Sequence, residues 1–200
     1  MSKKIIKQYD VSQDQHGDSA QGFMWGSSKT AAIYYQVTLM IATWSGQSCL
    51  EVGCGSGTMF DYIQEKSYPI VYSGVDINLQ AIELAQHKYQ DTSFKCYDIL
   101  DSRFNDRHDY LLAAGAFNIL SDDIQDHQGY LKMVIKKMFS LCHKGVSISF
   151  KTMVSQEDRL KGFVAYNPVD IFDFSLSLSK FATLNHAFSK YFAVLHLYKE

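Results

Sequence analysis

The stretch SCLEVGCGSGTMFDYI, residues 48–63, carries the clearest structural pattern of this chain. The apolar run SCLEV ends at three glycines on alternate positions, Gly53, Gly55 and Gly57. The chain has only 12 glycines in 200 residues, so this cluster indicates a backbone conformation or a close contact that other residues would not allow. Glycine permits positive φ and lets a ligand approach the backbone without a Cβ clash. The stretch therefore predicts a buried strand, a glycine turn and a helix over residues 58–65.

Strand patterns recur on both sides of this turn. Apolar or alternating runs bounded by turn residues predict seven strands in all. In chain order their sequences are SCLEV, IVYSGVD, SFKCYD, YLLAAGAF, GVSISFKT, FATLN and YFAVLHLYK.

Helix patterns alternate with these strands. A helix is predicted over residues 29–44, and another in NLQAIELAQHKY, with Asn78 as its N-cap. A third is expected from residue 126 to 142, with Gly145 as its stop, and a fourth begins with Asn167 as N-cap before Pro168. Strands alternating with helices predict an α/β domain with a mostly parallel sheet and helices on both faces.

Composition limits the function classes. The chain is 46% hydrophobic and 20% charged, with net charge −2 and scattered basic residues, so we expect no nucleic-acid partner. The four cysteines form no C-x-x-C pair, which predicts neither a zinc site nor a disulfide framework. No run approaches about 18 apolar residues, and the N-terminus lacks a signal-peptide core, so we expect a cytoplasmic protein without a membrane partner. These residues indicate no oligomeric state.

Acidic residues end the next two predicted strands. Asp76 follows Gly53 by 23 residues, and Asp98 ends the third strand. Ligands of open parallel sheets bind beyond the carboxyl ends of the strands, where a carboxylate can bind the hydroxyls of a ribose. The alternative is a tight connection without a ligand, with both acids as surface or capping residues. Three such features at consecutive strand ends favour a nucleoside-binding site.

The spacing of the glycines distinguishes between nucleoside cofactors. A dinucleotide site usually has G-x-G-x-x-G, whereas this chain has G-x-G-x-G preceded by Glu51. In this respect it resembles the class I S-adenosylmethionine-dependent methyltransferases over nearly its whole length. The resemblance implies a single Rossmann-like, doubly wound sheet of seven strands with YFAVLHLYK as an antiparallel last strand. It also implies S-adenosyl-L-methionine as cofactor and S-adenosyl-L-homocysteine as product.

The same resemblance implies which residues contact the cofactor. The glycine turn lies against the methionyl part, the acid after strand two binds the ribose, and the acid after strand three lies by the adenine. Glu51 orients the turn or reaches the cofactor's amino group through water. The implied contacts are Trp25, Glu51, Gly53, Cys54, Gly55, Asp76, Ile77, Asp98, Ile99, Ala114 and Gly115.

A narrower resemblance covers HGDSAQGFMW, AAGAFN and AYNPVDIFDF. These segments are similar to a group of small bacterial methyltransferases with an H-G…G-x-x-W opening and an S-G-x-F-N loop after strand four. Many members have an arginine in the first helix, near the place of Tyr34. Without that arginine, the contact to the cofactor's carboxylate is unassigned.

Methyl transfer from a sulfonium requires mainly alignment, and a general base only when the acceptor must lose a proton early. His16 is the candidate base, against the alternative of an exposed loop histidine. Asn118 is a candidate for a polar role at the acceptor, against a turn role, and Trp25 either covers the ligands or anchors the N-terminal segment. No N-P-P-Y motif follows strand four, which favours a small-molecule acceptor, a sugar or another metabolite, over a planar nitrogen.

We expect residues 1–28, which show no sustained period, to form a lid, and residues 29–200 to form the S-adenosylmethionine-binding methyltransferase domain. Two other functions stay open. One is a non-catalytic protein that binds S-adenosylmethionine or S-adenosylhomocysteine. The other is a nicotinamide-dependent oxidoreductase, which the glycine spacing disfavours.

Overall fold

A computed structural model describes residues 3–153 and 162–200 of the chain. Helices and strands alternate along them, as the sequence patterns predict. In order they are α1 Lys3–His16, α2 Ser28–Leu39, β1 Ser48–Val52, α3 Thr58–Glu65, β2 Val71–Asp76, α4 Leu79–Lys88, β3 Ser93–Cys96, β4 His108–Ala114, α5 His127–Leu141, β5 Cys142–Lys151, α6 Pro168–Leu176, β6 Ala182–Asn185 and β7 Phe192–Tyr198.

The strands form one sheet in the order β3-β2-β1-β4-β5-β7-β6. The first five strands pair in parallel, and β7 pairs antiparallel with β5 on one side and β6 on the other. The predicted seven-stranded, mostly parallel sheet with an antiparallel last strand is therefore confirmed. Its strand order reverses between β1 and β4, which opens a crevice at their carboxyl ends.

Two apolar cores cover the two faces of the sheet. Successive strand residues point to opposite faces, so Leu111 joins the core under α5 and α6, while Leu112 joins the core under α2, α3 and α4. The central strands are buried on both sides, which explains why they consist of continuous apolar runs rather than alternating ones. Helices on both faces are as predicted.

Local hydrogen bonds fix several helix starts. The side chain of Asn78 accepts from the Ala81 N–H at the start of α4, and Asn167 caps α6 with Pro168 at its first position. Both predicted caps are confirmed. Each of these side chains satisfies backbone donors that have no partner within the helix.

The structure differs from the sequence prediction at three places. Residues 3–16 form α1, for which the sequence predicts no helix, and one face of this helix lines the crevice. The helix predicted over residues 29–44 ends at Leu39, whose carbonyl accepts from the Trp44 ring N–H. Gly145 is not a helix stop: α5 ends at Leu141 and β5 begins at once. Gly145 lies within β5, where a Cβ would come 2.8 Å from the Leu197 carbonyl oxygen of β7.

Candidate active site

The glycine turn follows β1 directly and has left-handed backbone conformations. Gly53 has φ 77°, and its N–H and that of Cys54 donate to the Val75 carbonyl of β2 over 2.8 and 3.1 Å. A Cβ at Gly53 would lie 2.3 Å from the Cβ of Ala116, in the loop after β4. Glycine is therefore required here for both conformation and space, and the turn lies in contact with the end of β4.

Asp76 connects this turn to α4. One carboxylate oxygen accepts from the Gly55 N–H over 2.9 Å, and the other accepts from the Asn78 N–H over 2.8 Å. Burial raises the pKa of Asp76, and the backbone hydrogen bonds counteract that rise. Each carboxylate oxygen has two lone pairs, so Asp76 can hold the turn and still accept from ligand hydroxyls.

Glu51 lies beneath the turn and is 3% exposed. The Tyr72 hydroxyl donates to its carboxylate. Burial raises the pKa of Glu51 to about 8, and the neighbouring Asp76 acts in the same direction. Glu51 is therefore a buried acid that titrates near neutral pH and faces the crevice.

The crevice has a volume of about 1100 Å³, its open mouth included, and we call it the first cavity. Asp98 lines it beyond β3, with its carboxylate accepting from the Leu100 N–H. Gly55 does not line this cavity, but its N–H donates to Asp76, which does. The other predicted cofactor contacts all line this cavity: Trp25, Glu51, Gly53, Cys54, Asp76, Ile77, Asp98, Ile99, Ala114 and Gly115.

Helix α1 lies across the first cavity and places Ile5, Ile6, Tyr9 and Gln13 in its wall. Gln13 is 7% exposed, and neither its amide oxygen nor its nitrogen has a hydrogen-bond partner among the described residues. A buried amide without a partner is costly. It therefore marks a place where a polar ligand group fits. No motif in the sequence points to Gln13, because only the docking of α1 brings it to the cavity.

Asn118 follows β4 and uses its amide on the backbone. Its nitrogen donates to the Gly115 carbonyl over 3.0 Å, and its oxygen accepts from the Lys151 N–H over 2.8 Å. The side chain thus holds the loop after β4 against the end of β5. This arrangement favours a positioning role for Asn118 over direct contact with reacting atoms.

His16, the other predicted catalytic residue, is the last residue of α1 and is exposed. It does not line the first cavity. The structure therefore does not bring His16 to the site, and a role as base would require α1 to move.

Trp25 lines both the first cavity and a second cavity of about 520 Å³, its open mouth included. Its ring stacks on Tyr34 with the centroids 5.0 Å apart, and a Cβ at Gly115 would come 2.8 Å from it. Trp25 thus packs against α2 and also borders both cavities. The Tyr34 hydroxyl, near the place of the missing arginine, lies 3.4 Å from that of Ser189.

Within residues 3–153 and 162–200, no three or more His, Cys, Asp and Glu side chains are grouped so as to hold a metal ion. No helix in this part of the chain has the length and apolar character needed to cross a membrane.

A glycine turn, acids at strand ends and a reversal of strand order define a nucleotide-cofactor site of a doubly wound α/β protein. Residues 49–138 match the family model described as "Methyltransferase domain". A curated relative from Mycobacterium tuberculosis, provisionally named as a methyltransferase, is 21% identical over 150 residues, which are 74% of this chain and 84% of the relative. These findings support the class that the sequence resemblance implied, a class I S-adenosylmethionine-dependent methyltransferase with S-adenosylmethionine as cofactor.

Solved structures agree on the fold. The magnesium protoporphyrin IX methyltransferase of Synechocystis, solved with bound S-adenosylhomocysteine, has TM-score 0.66 and 15% identity, covering 100% of both chains. The 4+2 cyclase SpnF has TM-score 0.70 and 11% identity, covering 98% of this chain and 95% of its own. At such identities the likeness shows the fold alone, and one fold can support different chemistries.

Proposed function

We propose that the protein transfers the methyl group of S-adenosylmethionine to a small-molecule acceptor, a sugar or another metabolite, by in-line displacement. The observation that supports this function is the pair of adjacent cavities that share Trp25 and Gly115. The first cavity contains the glycine turn and the acids that suit the cofactor. The second has the volume of a small-molecule site and opens at the same strand ends.

The residues of the first cavity fit the cofactor. Asp76 has free lone pairs for the ribose hydroxyls, and Asp98 with Ile99 provides a polar and an apolar contact for the adenine. Ionised Glu51 suits the cofactor's ammonium group. The unpartnered amide of Gln13 supports a polar ligand in this cavity. When bound, S-adenosylmethionine supplies an electrophilic methyl group on a positively charged sulfur.

The chain's own contribution is mainly alignment. Trp25 and Gly115 form the wall between the two cavities, so they limit how cofactor and acceptor approach one another. Holding the acceptor, methyl and sulfur in line replaces a bimolecular encounter by a preorganised one, which accelerates reactions greatly. Asn118 supports this geometry by fixing the Gly115 carbonyl.

A thermal-shift experiment with S-adenosylhomocysteine tests the cofactor site. A ligand that binds only the folded state raises the melting temperature by mass action, so we expect a clear rise at millimolar ligand. Asp76→Ala should weaken binding by about 1–3 kcal/mol, the scale of hydrogen bonds to a charged group. It should also lower stability, because the Gly55 and Asn78 N–H groups lose their acceptor.

Asn167→Ala is the matched control. Asn167 caps α6 by accepting from the Val169 and Asp170 N–H groups, and it lines neither cavity. Its loss should lower stability but leave the affinity for S-adenosylhomocysteine unchanged. No melting shift in the wild type would refute the cofactor site. Binding without turnover of any small acceptor would instead support a non-catalytic binding protein, and a change in NADH fluorescence on mixing would support an oxidoreductase.

A further inference from the structure

The last residue of β5, Lys151, has an unusual environment for a lysine. It is 8% exposed, and its Nζ lies 3.7 Å from the centroid of the Phe163 ring and 5.6 Å from that of Phe192. Within residues 3–153 and 162–200, no carboxylate forms an ion pair with it. A buried ammonium without a carboxylate is costly, so the aromatic rings compensate it only in part.

Lys151 lines the second cavity together with Trp25, Tyr34, Phe163 and Phe192. The cavity walls are therefore largely aromatic, and Lys151 brings the strongly polar group to them. The backbone N–H of Lys151 donates to Asn118, whose amide also holds the Gly115 carbonyl. Because Gly115 lines both cavities, the backbone of Lys151 is tied to the loop that borders the first cavity.

The protonation of Lys151 responds to its burial. Desolvation lowers the pKa of its ammonium to about 8, so a neutral amine is accessible close to neutral pH. Tyr9 and Tyr34 also line this cavity, and burial raises the pKa of both hydroxyls, so they stay protonated in that range. On the adjoining residue, the Thr152 hydroxyl is paired with His186 over 2.7 Å.

We propose that the second cavity binds an aromatic acceptor with an acidic hydroxyl group and that Lys151 is the base that receives its proton. This inference rests on the proposed function and replaces its broad acceptor class by phenol-like compounds. The aromatic walls suit a flat ring, and Lys151 suits the acidic hydroxyl.

The step is balanced in atoms and charge. The neutral amine of Lys151 takes the hydroxyl proton and becomes an ammonium ion. The resulting phenolate oxygen forms a bond to the methyl carbon, while the carbon–sulfur bond breaks and its electron pair stays on the sulfur. The products are a methyl ether and neutral-sulfur S-adenosylhomocysteine, and Lys151 later returns the proton to solvent.

The test uses 4-nitrophenol, whose phenolate absorbs visible light, with the full chain saturated by S-adenosylhomocysteine. A cation near the bound hydroxyl favours its ionised form. Titration of the bound probe should therefore show ionisation at a lower pH than in buffer, with the ionisation constant raised about tenfold, one pKa unit. Lys151→Met should abolish this shift, and Lys151→Arg should keep it, because arginine preserves the charge.

Measurements of turnover distinguish the effect of the charge on residue 151 from its ability to accept a proton. Wild-type protein should methylate phenols, whereas Lys151→Arg should bind them but lose turnover at least about 100-fold, the contribution typical of a positioned base. Failure of the wild type to bind millimolar 4-nitrophenol, or an equal ionisation shift in Lys151→Met, would overturn the inference. The melting shift with S-adenosylhomocysteine distinguishes the failures: if it persists, only the acceptor assignment is wrong; if it is absent, the proposed function fails as well.

Discussion

Glu51 shows how one buried acid couples stability to pH. Its pKa in the folded protein is about 8, above the ordinary value of 4.5, because burial disfavours the charge. The folded state therefore binds more protons than the unfolded state between these values. The free energy of unfolding should accordingly fall as the pH rises from about 4.5 to about 8.

Glu51→Gln should remove this pH dependence, because the amide stays neutral. We expect the variant to gain about 1–3 kcal/mol over the wild type at pH 9, as a shift of one pKa unit is worth 1.36 kcal/mol and burial effects are partly relaxed. Urea unfolding of both proteins without ligand at pH 5 and pH 9 measures the difference. If the unfolding free energies of the two proteins changed equally between pH 5 and pH 9, burial would not raise the pKa of Glu51.

Gln13 should lower the stability of the ligand-free protein and at the same time contribute to cofactor binding. Its buried amide has no partner among the described residues, so Gln13→Leu should raise the stability of the ligand-free protein by about 1 kcal/mol. The same change should weaken S-adenosylhomocysteine binding by about 1–2 kcal/mol if the amide contacts the cofactor. Urea unfolding and titration calorimetry give the two values.

Gln8→Leu is a control for Gln13→Leu on the same helix. Gln8 donates to the Leu120 carbonyl at an exposed position and does not line the first cavity. Its substitution should leave cofactor affinity unchanged. If Gln13→Leu binds the cofactor as well as the wild type does, the Gln13 amide lowers the stability of the protein and makes no contact with the cofactor.

At the scale of elements, α1 and the following turn contact the start of α4 and the glycine turn after β1. Asp10 of α1 accepts from the Asn78 side chain at the start of α4. Phe23 packs where a Cβ of Gly55 would be, 2.7 Å from its ring. We propose that residues 1–28 form a lid on a methyltransferase domain of residues 29–200, and these cross-cavity contacts support that division.

Hydrogen exchange tests the lid without any acceptor. Because α1 lies across the first cavity, amides of residues 3–28 should gain protection when S-adenosylhomocysteine binds, while amides of β7 should not change. Deleting residues 1–20 should leave the sheet folded but abolish turnover, with a smaller loss of cofactor affinity. Equal exchange with and without ligand would show that the segment takes no part in closure.

At the scale of the whole molecule, the sheet brings separate pieces of chain to one edge. The glycine turn, Asp76 and Asp98 come from the ends of β1, β2 and the segment after β3, and Gly115 follows β4. Lys151 ends β5, one strand further along. The parallel arrangement places all these strand ends on the same side, so the first and second cavities lie next to each other.

Features that depend on local chemistry follow from the order of residues alone. Strand and helix periods, the Asn78 and Asn167 caps and the glycine turn are set by interactions between residues close in the chain, so the fold and most of the first cavity could be predicted from them. The remaining features depend on how distant segments pack together. Helix α1 and Gln13 acquire their roles by docking on the crevice, and Lys151 becomes a buried amine because rings distant in sequence surround it. Burial and desolvation depend on the whole packed molecule, and no local pattern encodes them.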